Sequence, residues 1–215
     1  MRGQCLSGSS LKVIAMVTMV IDHTACYFVS GGWEYECMRG IGRIAFPIFA
    51  FLIAEGYRHT RRKWDYGRNL LIFALISEIP WMLLHTDGSH NVLFTLLAGL
   101  CCIAILDKLE NHKILPLLFV LVIALTTSAL NTDYGIQGVA LVLMFYLFKD
   151  KPLLQLLFAL PLFYDFDPLG ILVSFGLISL YNGERGFIKE AYSKFLFYAF
   201  YPCHLIVIWA LLLVV

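Results

Sequence analysis

The sequence carries little charge for its length. Only 14% of its 215 residues are Asp, Glu, Lys or Arg, whereas soluble domains carry about 25%. Hydrophobic residues make up 60% of the chain, and the mean hydropathy is +0.79. This composition excludes an ordinary soluble globular protein. It predicts an all-α, polytopic integral membrane protein that forms a single domain over residues 1–215.

Several catalytic and binding motifs are also missing. The chain has no G-x-S-x-G nucleophile elbow, no P-loop, no dinucleotide fingerprint and no H-E-x-x-H pair. Its histidines are too dispersed to indicate a metal site, and nucleic-acid binding would have no folded basic face. The six cysteines lack C-x-x-C spacing. We consider a disulfide for one pair of them, Cys26 and Cys37.

Apolar segments follow one another along the chain after a short polar tail, 1–10. We expect the first of them to be a retained helix and not a cleaved signal peptide. The candidate transmembrane helices are nine in number and run approximately 11–30, 41–58, 69–85, 92–106, 114–130, 136–148, 153–163, 169–181 and 195–215. Short cytoplasmic loops retain Lys and Arg. With the N-terminus in the cytoplasm, all 16 of these residues except Arg39 and Arg43 fall on the cytoplasmic side.

Ionisable residues inside apolar segments need a partner or a function, because each costs about 2.5–3.5 kcal/mol on insertion scales. The first helix contains Asp22 and His23. Histidine suits proton transfer near neutral pH and a carboxylate can hold its tautomer, so we favour a functional role over a structural polar pair. In the second helix, Arg43 either pairs with Asp22 or binds an anionic group or a developing oxyanion. Pro47 predicts a kink beside Arg43, because proline displaces the carbonyl four residues earlier.

A dense basic segment, RHTRRKWDYGR, closes the second helix and precedes the third. It either holds an anionic leaflet or forms a phosphate site. The excess of arginine over lysine favours bidentate phosphate contact, and Trp64 and Tyr66 offer aromatic faces on which a base can stack. The candidate residues for binding a phosphate-bearing cofactor are Glu55, Arg58, His59, Arg61, Arg62 and Arg68.

Four further polar residues are candidates for binding an acceptor substrate. Glu78 lies just before Pro80, which frees a backbone carbonyl and predicts irregular backbone that can line a cavity. Asn91 is either a helix N-cap, which we favour, or a ligand. Tyr201 and His204 lie in the aromatic run FYAFYPCHL of the last helix. That histidine is either a satisfied core residue or a functional group.

Three classes of function fit these residues. The first is transport of a proton or a small anion through the helices. The second is a group transfer in which a phosphate-bearing donor docks from the cytoplasm and an acceptor arrives from outside. The third is a membrane scaffold whose buried charges only fix helix packing.

Seven stretches resemble the TraX family, named for a pilin N-acetylase. They are LKVIAMVTMVIDH, GRIAFPIFAFLIAEGYRHT, LLIFALISEIPW, NVLFTLL, DYGIQGV, YNGERG and FYAFYPCHL. The resemblance covers nearly the whole chain from Leu11 onward and implies a multi-pass protein of the bacterial inner membrane. A fainter similarity links the first two helices to transmembrane acyltransferases. By that similarity His23 corresponds to the catalytic histidine, and residues 58–68 to the basic segment that faces acyl-CoA.

The resemblance implies an acetyltransferase that moves an acyl group, expected to be acetyl, from acetyl-CoA to an amine or hydroxyl. His23, oriented by Asp22, is then the general base, and Arg43 stabilises the oxyanion. The alternative is a small-solute or proton-coupled transporter. The expected partners are acyl-CoA, an acceptor protein or glycan and the lipid bilayer, with no nucleic acid and no metal. A homodimer stays open.

Overall fold

The computed structural model describes residues 4–164, 168–187 and 191–214. Within these ranges the regular structure is helical, apart from two isolated β-bridges, which confirms the all-α prediction. The helices are α1 Gly8–Phe28, α2 Trp33–Gly42, α3 Ala45–His59, α4 Lys63–Leu84, α5 Val92–Lys108, α6 Leu115–Ala129, α7 Gly135–Leu147, α8 Pro152–Leu162, α9 Pro168–Ser179 and α10 Ala191–Leu212.

Among the described residues, four helical stretches are long and apolar enough to cross a bilayer, by length and composition: Gly8–Phe28, Trp33–His59, Lys63–Leu84 and Phe195–Leu212. Nine transmembrane helices, as predicted, are not supported. The reason is length. A helix rises 1.5 Å per residue and a hydrocarbon core is about 30 Å thick, whereas the apolar helices α6 to α9 have only 11 to 15 residues. The cytoplasmic position of the N-terminus stays a prediction.

The second predicted helix consists of two helices, α2 and α3. It begins at Trp33 rather than near residue 41, and it is interrupted at Arg43 and Ile44. Pro47 lies in the first turn of α3, where its missing N–H leaves the carbonyl of Arg43 without its helical donor. The break therefore falls beside Arg43, where the sequence predicted a kink. The earlier start places Arg39 on a helix instead of in a loop.

By backbone contacts the chain divides into two compact units, Met1–Leu52 with Asp150–Val215, and Ile53–Lys149. In the first unit, α1 packs against α2 and α10, and α9 packs against α8 and α2. Its core includes Leu11, Ala15 and Ile48, all fully buried. In the second unit, α5 packs against α4, α6 and α7. Gly99 of α5 allows this close packing, because a Cβ there would collide with Val142 of α7.

The polar N-terminal segment is anchored in the first unit. The Leu6 N–H donates to the Leu180 carbonyl, and the N–H groups of Gly8 and Ser9 donate to the carbonyls of Glu184 and Arg185. Ser7 caps α1 by accepting a hydrogen bond from the Ser10 N–H. Helix α1 therefore begins three residues before the predicted start. The YNGERG stretch serves as the docking loop for these residues.

Candidate active site

Two histidines meet inside the first unit. His23 on α1 and His204 on α10 lie with Nδ1 of the first 2.8 Å from Nε2 of the second. The ring planes differ by 6° and the ring centroids are 5.0 Å apart. That separation is about the N···N distance plus the two ring radii. The imidazoles therefore lie edge to edge in nearly one plane, and the hydrogen bond between them is close to linear.

Aromatic rings surround this histidine pair. Tyr27 presents an edge toward His23, with centroids 6.3 Å apart. Phe200 lies nearly parallel to His204 at 5.2 Å, and Tyr201 meets the same ring at 60°. His204 and Tyr201 are both buried. The aromatic run of the last helix therefore forms an apolar wall beside His204.

The carboxylate of Asp22 forms an ion pair with Arg39, at 2.9 Å between Oδ1 and a guanidinium nitrogen. From the sequence we considered an ion pair between Asp22 and Arg43 instead. Arg39 takes this place because α2 begins at Trp33, which puts Arg39 on a helix one turn before Arg43. Arg43 still interacts electrostatically with the same carboxylate. Asp22 was also expected to orient His23, but His204 is the residue that contacts Nδ1 of that ring.

Glycines set the approach of the helices that carry these charges. A Cβ at Gly42 of α2 would collide with the Asp22 side chain of α1, and a Cβ at Gly170 of α9 would lie 2.7 Å from Cβ of Arg43. Arg43 caps the end of α2, with its N–H donating to the Arg39 carbonyl. Two close helix contacts within one unit therefore hold Asp22, Arg39 and Arg43 in place.

In the second unit, the basic segment divides into a buried and an exposed part. Arg58 is only 15% exposed, pairs with Glu55 at 3.1 Å and donates to the carbonyls of Phe145 and Tyr146 at 2.8 and 2.6 Å. Glu55 also accepts a hydrogen bond from the His59 ring at 2.8 Å. Arg58 and Glu55, both predicted to bind a cofactor, tie α3 to the end of α7 in the structure.

The remaining basic side chains of this segment are exposed. Arg62 is 86% exposed and Arg68 54%, and both lie near the Asp65 carboxylate, at 3.8 and 3.1 Å. His59 and Arg61 are exposed as well. Trp64 is 81% exposed beside them. Arg61, Arg62 and Arg68 can therefore contact an anionic group from outside the unit without breaking a buried ion pair.

A cluster around Asp107 was not predicted. Lys63 donates to its Oδ2 at 2.6 Å and the Tyr57 hydroxyl donates at 2.8 Å, while Tyr146 lies 3.4 Å from Oδ1. The hydrogen bonds from Lys63 and Tyr57 hold the pKa of the Asp107 carboxyl below its usual range. In the sequence, Asp107 is an acidic residue at the end of an apolar segment. An acid in that position usually indicates only a solvated helix end. The partners of Asp107 on α3 and α4 are distant in sequence.

Glu78 and Asn91, both candidates for binding an acceptor, contact each other in the structure. Asn91 caps α5 by accepting from the Leu93 N–H, which is the alternative that the sequence favoured. Its Nδ2 donates to Glu78 at 2.6 Å and to the Ala74 carbonyl at 2.9 Å. His90, which was missed, contacts the other oxygen of Glu78 through Nδ1. Glu78 and Asn91 therefore join α4 to α5 in the second unit, whereas Tyr201 and His204 belong to the first.

The disulfide that we considered between Cys26 and Cys37 is not formed in the part of the chain that the structure describes. All six cysteines, which include Cys26 and Cys37, are free thiols there. In the same residues no group of three His, Cys, Asp or Glu side chains is arranged to hold a metal ion.

The described part of the chain is helical, has four stretches able to cross a bilayer and contains paired polar side chains. These features are typical of helical membrane proteins. Residues 7–212 match the family described as TraX protein, and the chain belongs to the TraX family. It is 31% identical to the probable fimbrial assembly protein FimC, serogroup H1, of Dichelobacter nodosus, over 93% of each chain. It is 30% identical to the uncharacterized protein RP591 of Rickettsia prowazekii, over 43% of this chain and 35% of that one. No solved structure matches it.

Proposed function

We propose that this protein is a membrane-embedded acyltransferase. It moves an acetyl group from cytoplasmic acetyl-CoA to an amine or hydroxyl acceptor at or beyond the membrane. The observation that carries this proposal is the His23–His204 pair, in which two imidazoles on different helices are hydrogen-bonded edge to edge. Such an arrangement fits a general base whose ring is held in one orientation.

In the proposed reaction, the acceptor nitrogen or oxygen attacks the thioester carbonyl carbon while His23 takes the acceptor's proton. The new C–N or C–O bond forms and the carbonyl oxygen becomes an oxyanion, which Arg43 stabilises. Collapse of the tetrahedral intermediate breaks the C–S bond. The proton then moves from His23 to the departing CoA sulfur. Asp22 has no direct role in proton transfer; it neutralises Arg39 and ties α1 to α2.

The donor's phosphates bind the exposed basic residues of the segment after α3. His59, Arg61, Arg62 and Arg68 are the exposed basic residues that the sequence singled out, and arginine forks suit phosphate oxygens. Trp64 offers an exposed ring on which the adenine can stack. Arg58 and Glu55 are left out of this role because their polar atoms already pair with each other and with carbonyls.

The proposed setting is the bacterial inner membrane, crossed several times, with the N-terminus in the cytoplasm. The concentration of Lys and Arg on one side supports this orientation. The four long apolar stretches support several crossings of the bilayer. The name of the Dichelobacter relative, a fimbrial assembly protein, supports a fimbrial or pilin subunit as the acceptor, with a glycan as the second candidate.

A proton-coupled transporter is the alternative, because a hydrogen-bonded histidine pair inside a helical membrane protein also suits proton relay. The two functions differ in their need for a donor. Transport would give solute or proton flux in liposomes without any acyl-CoA, and that flux would fall when Arg43 is substituted. An acyltransferase would give no such flux and would release CoA only with an acceptor present.

The test uses purified protein and acetyl-CoA labelled in the acetyl group. We expect CoA release and transfer of label to a pilin N-terminal peptide or to an amino sugar. His23→Ala should abolish transfer at unchanged melting temperature, and His112→Ala, at an exposed loop histidine, should retain it. Absence of CoA release with every amine and sugar acceptor would reject the enzyme proposal. Full activity of His23→Ala would reject the assigned base.

A further inference from the structure

The hydrogen bonds of His204 determine which of its ring nitrogens carries the proton. Its Nδ1 lies 3.0 Å from the Phe200 carbonyl oxygen. A carbonyl oxygen only accepts hydrogen bonds, so Nδ1 of His204 must donate and carry the hydrogen. In a neutral ring the other nitrogen, Nε2, then has the lone pair. Nε2 of His204 can therefore only accept a hydrogen bond, and the group that faces it is Nδ1 of His23 at 2.8 Å.

We propose that His204 is a positioning residue that holds His23 in its Nδ1–H tautomer. His23 donates from Nδ1 to His204, which leaves the lone pair of His23 on Nε2. That nitrogen is then the atom that removes the acceptor's proton. This inference rests on the acyltransferase proposal for its catalytic meaning, but the tautomer itself is a property of the resting protein.

The contacts of His204 restrict the rotation of its own ring. It is buried on α10, its Nδ1 is hydrogen-bonded to the carbonyl one turn earlier, and its ring contacts those of Phe200 and Tyr201. The near-coplanar geometry with His23 transmits this orientation, because rotating either ring bends the hydrogen bond between them. The orientation of His23 is consequently fixed by α10 and not by its own helix alone.

The last hydrogen bond of this chain, from His204 to the Phe200 carbonyl, indicates that His204 positions His23 and does not relay its proton. A proton passed from His23 to Nε2 of His204 would require His204 to release its Nδ1 proton. The partner of Nδ1 is the peptide carbonyl of Phe200, which cannot take up a proton at neutral pH. His204 therefore keeps its proton through the reaction, and the proton from the acceptor stays on His23 until it leaves with the CoA sulfur.

Glutamine and leucine at position 204 separate these roles. The amide oxygen of Gln reaches about as far as Nε2 and accepts a hydrogen bond, but an amide does not take up a proton. Leucine has similar bulk and cannot accept. His204→Gln should therefore preserve the His23 tautomer and most of the activity, whereas His204→Leu should lose both. Thermal melting of the two variants shows whether either has lost its fold.

The spectroscopic test uses protein labelled with 15N-histidine and purified in detergent. The chain has six histidines, and subtracting the spectrum of His23→Ala assigns the His23 signals. We expect Nδ1 of His23 to be protonated in the wild type and in His204→Gln, and a mixture of tautomers in His204→Leu. A wild-type spectrum with the proton on Nε2 would overturn the inference. An unchanged tautomer in His204→Leu would do the same.

The kinetic test measures kcat and KM for acetyl-CoA in the same variants. General-base catalysis contributes about 10²- to 10⁴-fold, so His204→Leu should lose at least about 10-fold in kcat, with an unchanged KM. Equal losses in the Gln and Leu variants would overturn positioning in favour of proton transfer. The two proposals can fail separately. A protein that shows the expected tautomer and no transferase activity rejects the enzyme proposal alone, and the opposite result rejects only the role of His204.

Discussion

The two compact units contain different kinds of buried polar cluster. In the second unit, Arg58 meets a carboxylate and two carbonyl oxygens, so the charge is neutralised and its donors are used inside the protein. In the first unit, His23 and His204 share one hydrogen bond between two groups that are each able to be neutral. A paired charge holds helices together, whereas a neutral imidazole with a fixed tautomer is also a base.

This comparison shows why a buried charge is a poor guide to function by itself. The sequence marks Arg58 and His23 in the same way, as ionisable residues at the edge of or inside apolar segments. The atoms around each side chain decide between a structural and a chemical role. Substitutions should therefore separate the two clusters: those in the second unit should lower stability, and those at the histidine pair should lower activity.

The largest effect is expected from Arg58→Met, which keeps the aliphatic stem and removes the charge. Glu55 and two carbonyl groups would lose their partner, and breaking a buried ion pair costs about 3–5 kcal/mol. We expect a large fall in melting temperature in detergent. Arg62→Met, at an 86% exposed side chain, should leave the melting temperature unchanged and raise KM for acetyl-CoA. If Arg58→Met instead raised KM and Arg62→Met lowered the melting temperature, Arg58 would be assigned to the acetyl-CoA site.

A second prediction tests the close approach of α1 and α2 at Gly42. A Cβ there would collide with the Asp22 side chain, so Gly42→Ala should force the helices apart and weaken the pair with Arg39. Overpacking of this kind costs about 1–3 kcal/mol. Gly176→Ala is the matched control, because nothing lies within 4 Å of its Cβ position on α9. Equal melting temperatures for the two variants would refute the helix contact.

A third prediction concerns Asn91, which is the N-cap of α5 in the structure. Serine can cap α5 and alanine cannot, while both lose the bonds from Nδ2 to Glu78 and Ala74. Asn91→Ala should therefore be less stable than Asn91→Ser by about 1 kcal/mol. Thermal melting gives the difference, and turnover per folded molecule should match in the two variants. Loss of turnover in the serine variant without loss of stability would restore Asn91 as a ligand.

The sequence predicted much of the helical framework because apolar runs, prolines and caps are local signals. The break beside Arg43 followed from Pro47, and the cap of α5 followed from Asn91. Helix lengths were harder to predict. Residues 33–40 contain two glutamates and an arginine, so their hydropathy is typical of a loop although they form the start of α2.

Partners across helices could not be predicted, because they depend on helix rotation and on the positions of glycines. His23 and His204 are 181 residues apart, and a period of 100° per residue does not say which helix faces which. The sequence therefore assigned the nearest carboxylate, Asp22, to His23. In the structure Gly42 brings α2 against Asp22, which leaves Arg39 as its partner and His204 as the partner of His23.

The smallest effect is expected at Asp107, the partly exposed ion pair of the second unit. Hydrogen bonds from Lys63 and Tyr57 hold the pKa of its carboxyl below the usual value, which is about 3.9 in an unfolded chain. A depressed pKa stabilises the folded protein above about pH 4, and this contribution is lost as the pH falls through the folded value. Solvent screens both side chains, so the stabilisation is about 0.2–1 kcal/mol.

Asp107→Asn should therefore melt slightly below the wild type at pH 7, and the difference should shrink when both are melted near pH 3. Lys63→Met, which removes the same ion pair from its other side, should give a similar small loss at pH 7. The loss at Arg58 should exceed both several-fold, because Arg58 is buried and these side chains are partly exposed. A difference for Asp107→Asn that grows on acidification would mean that its pKa is raised and that the carboxyl is not stabilised by Lys63.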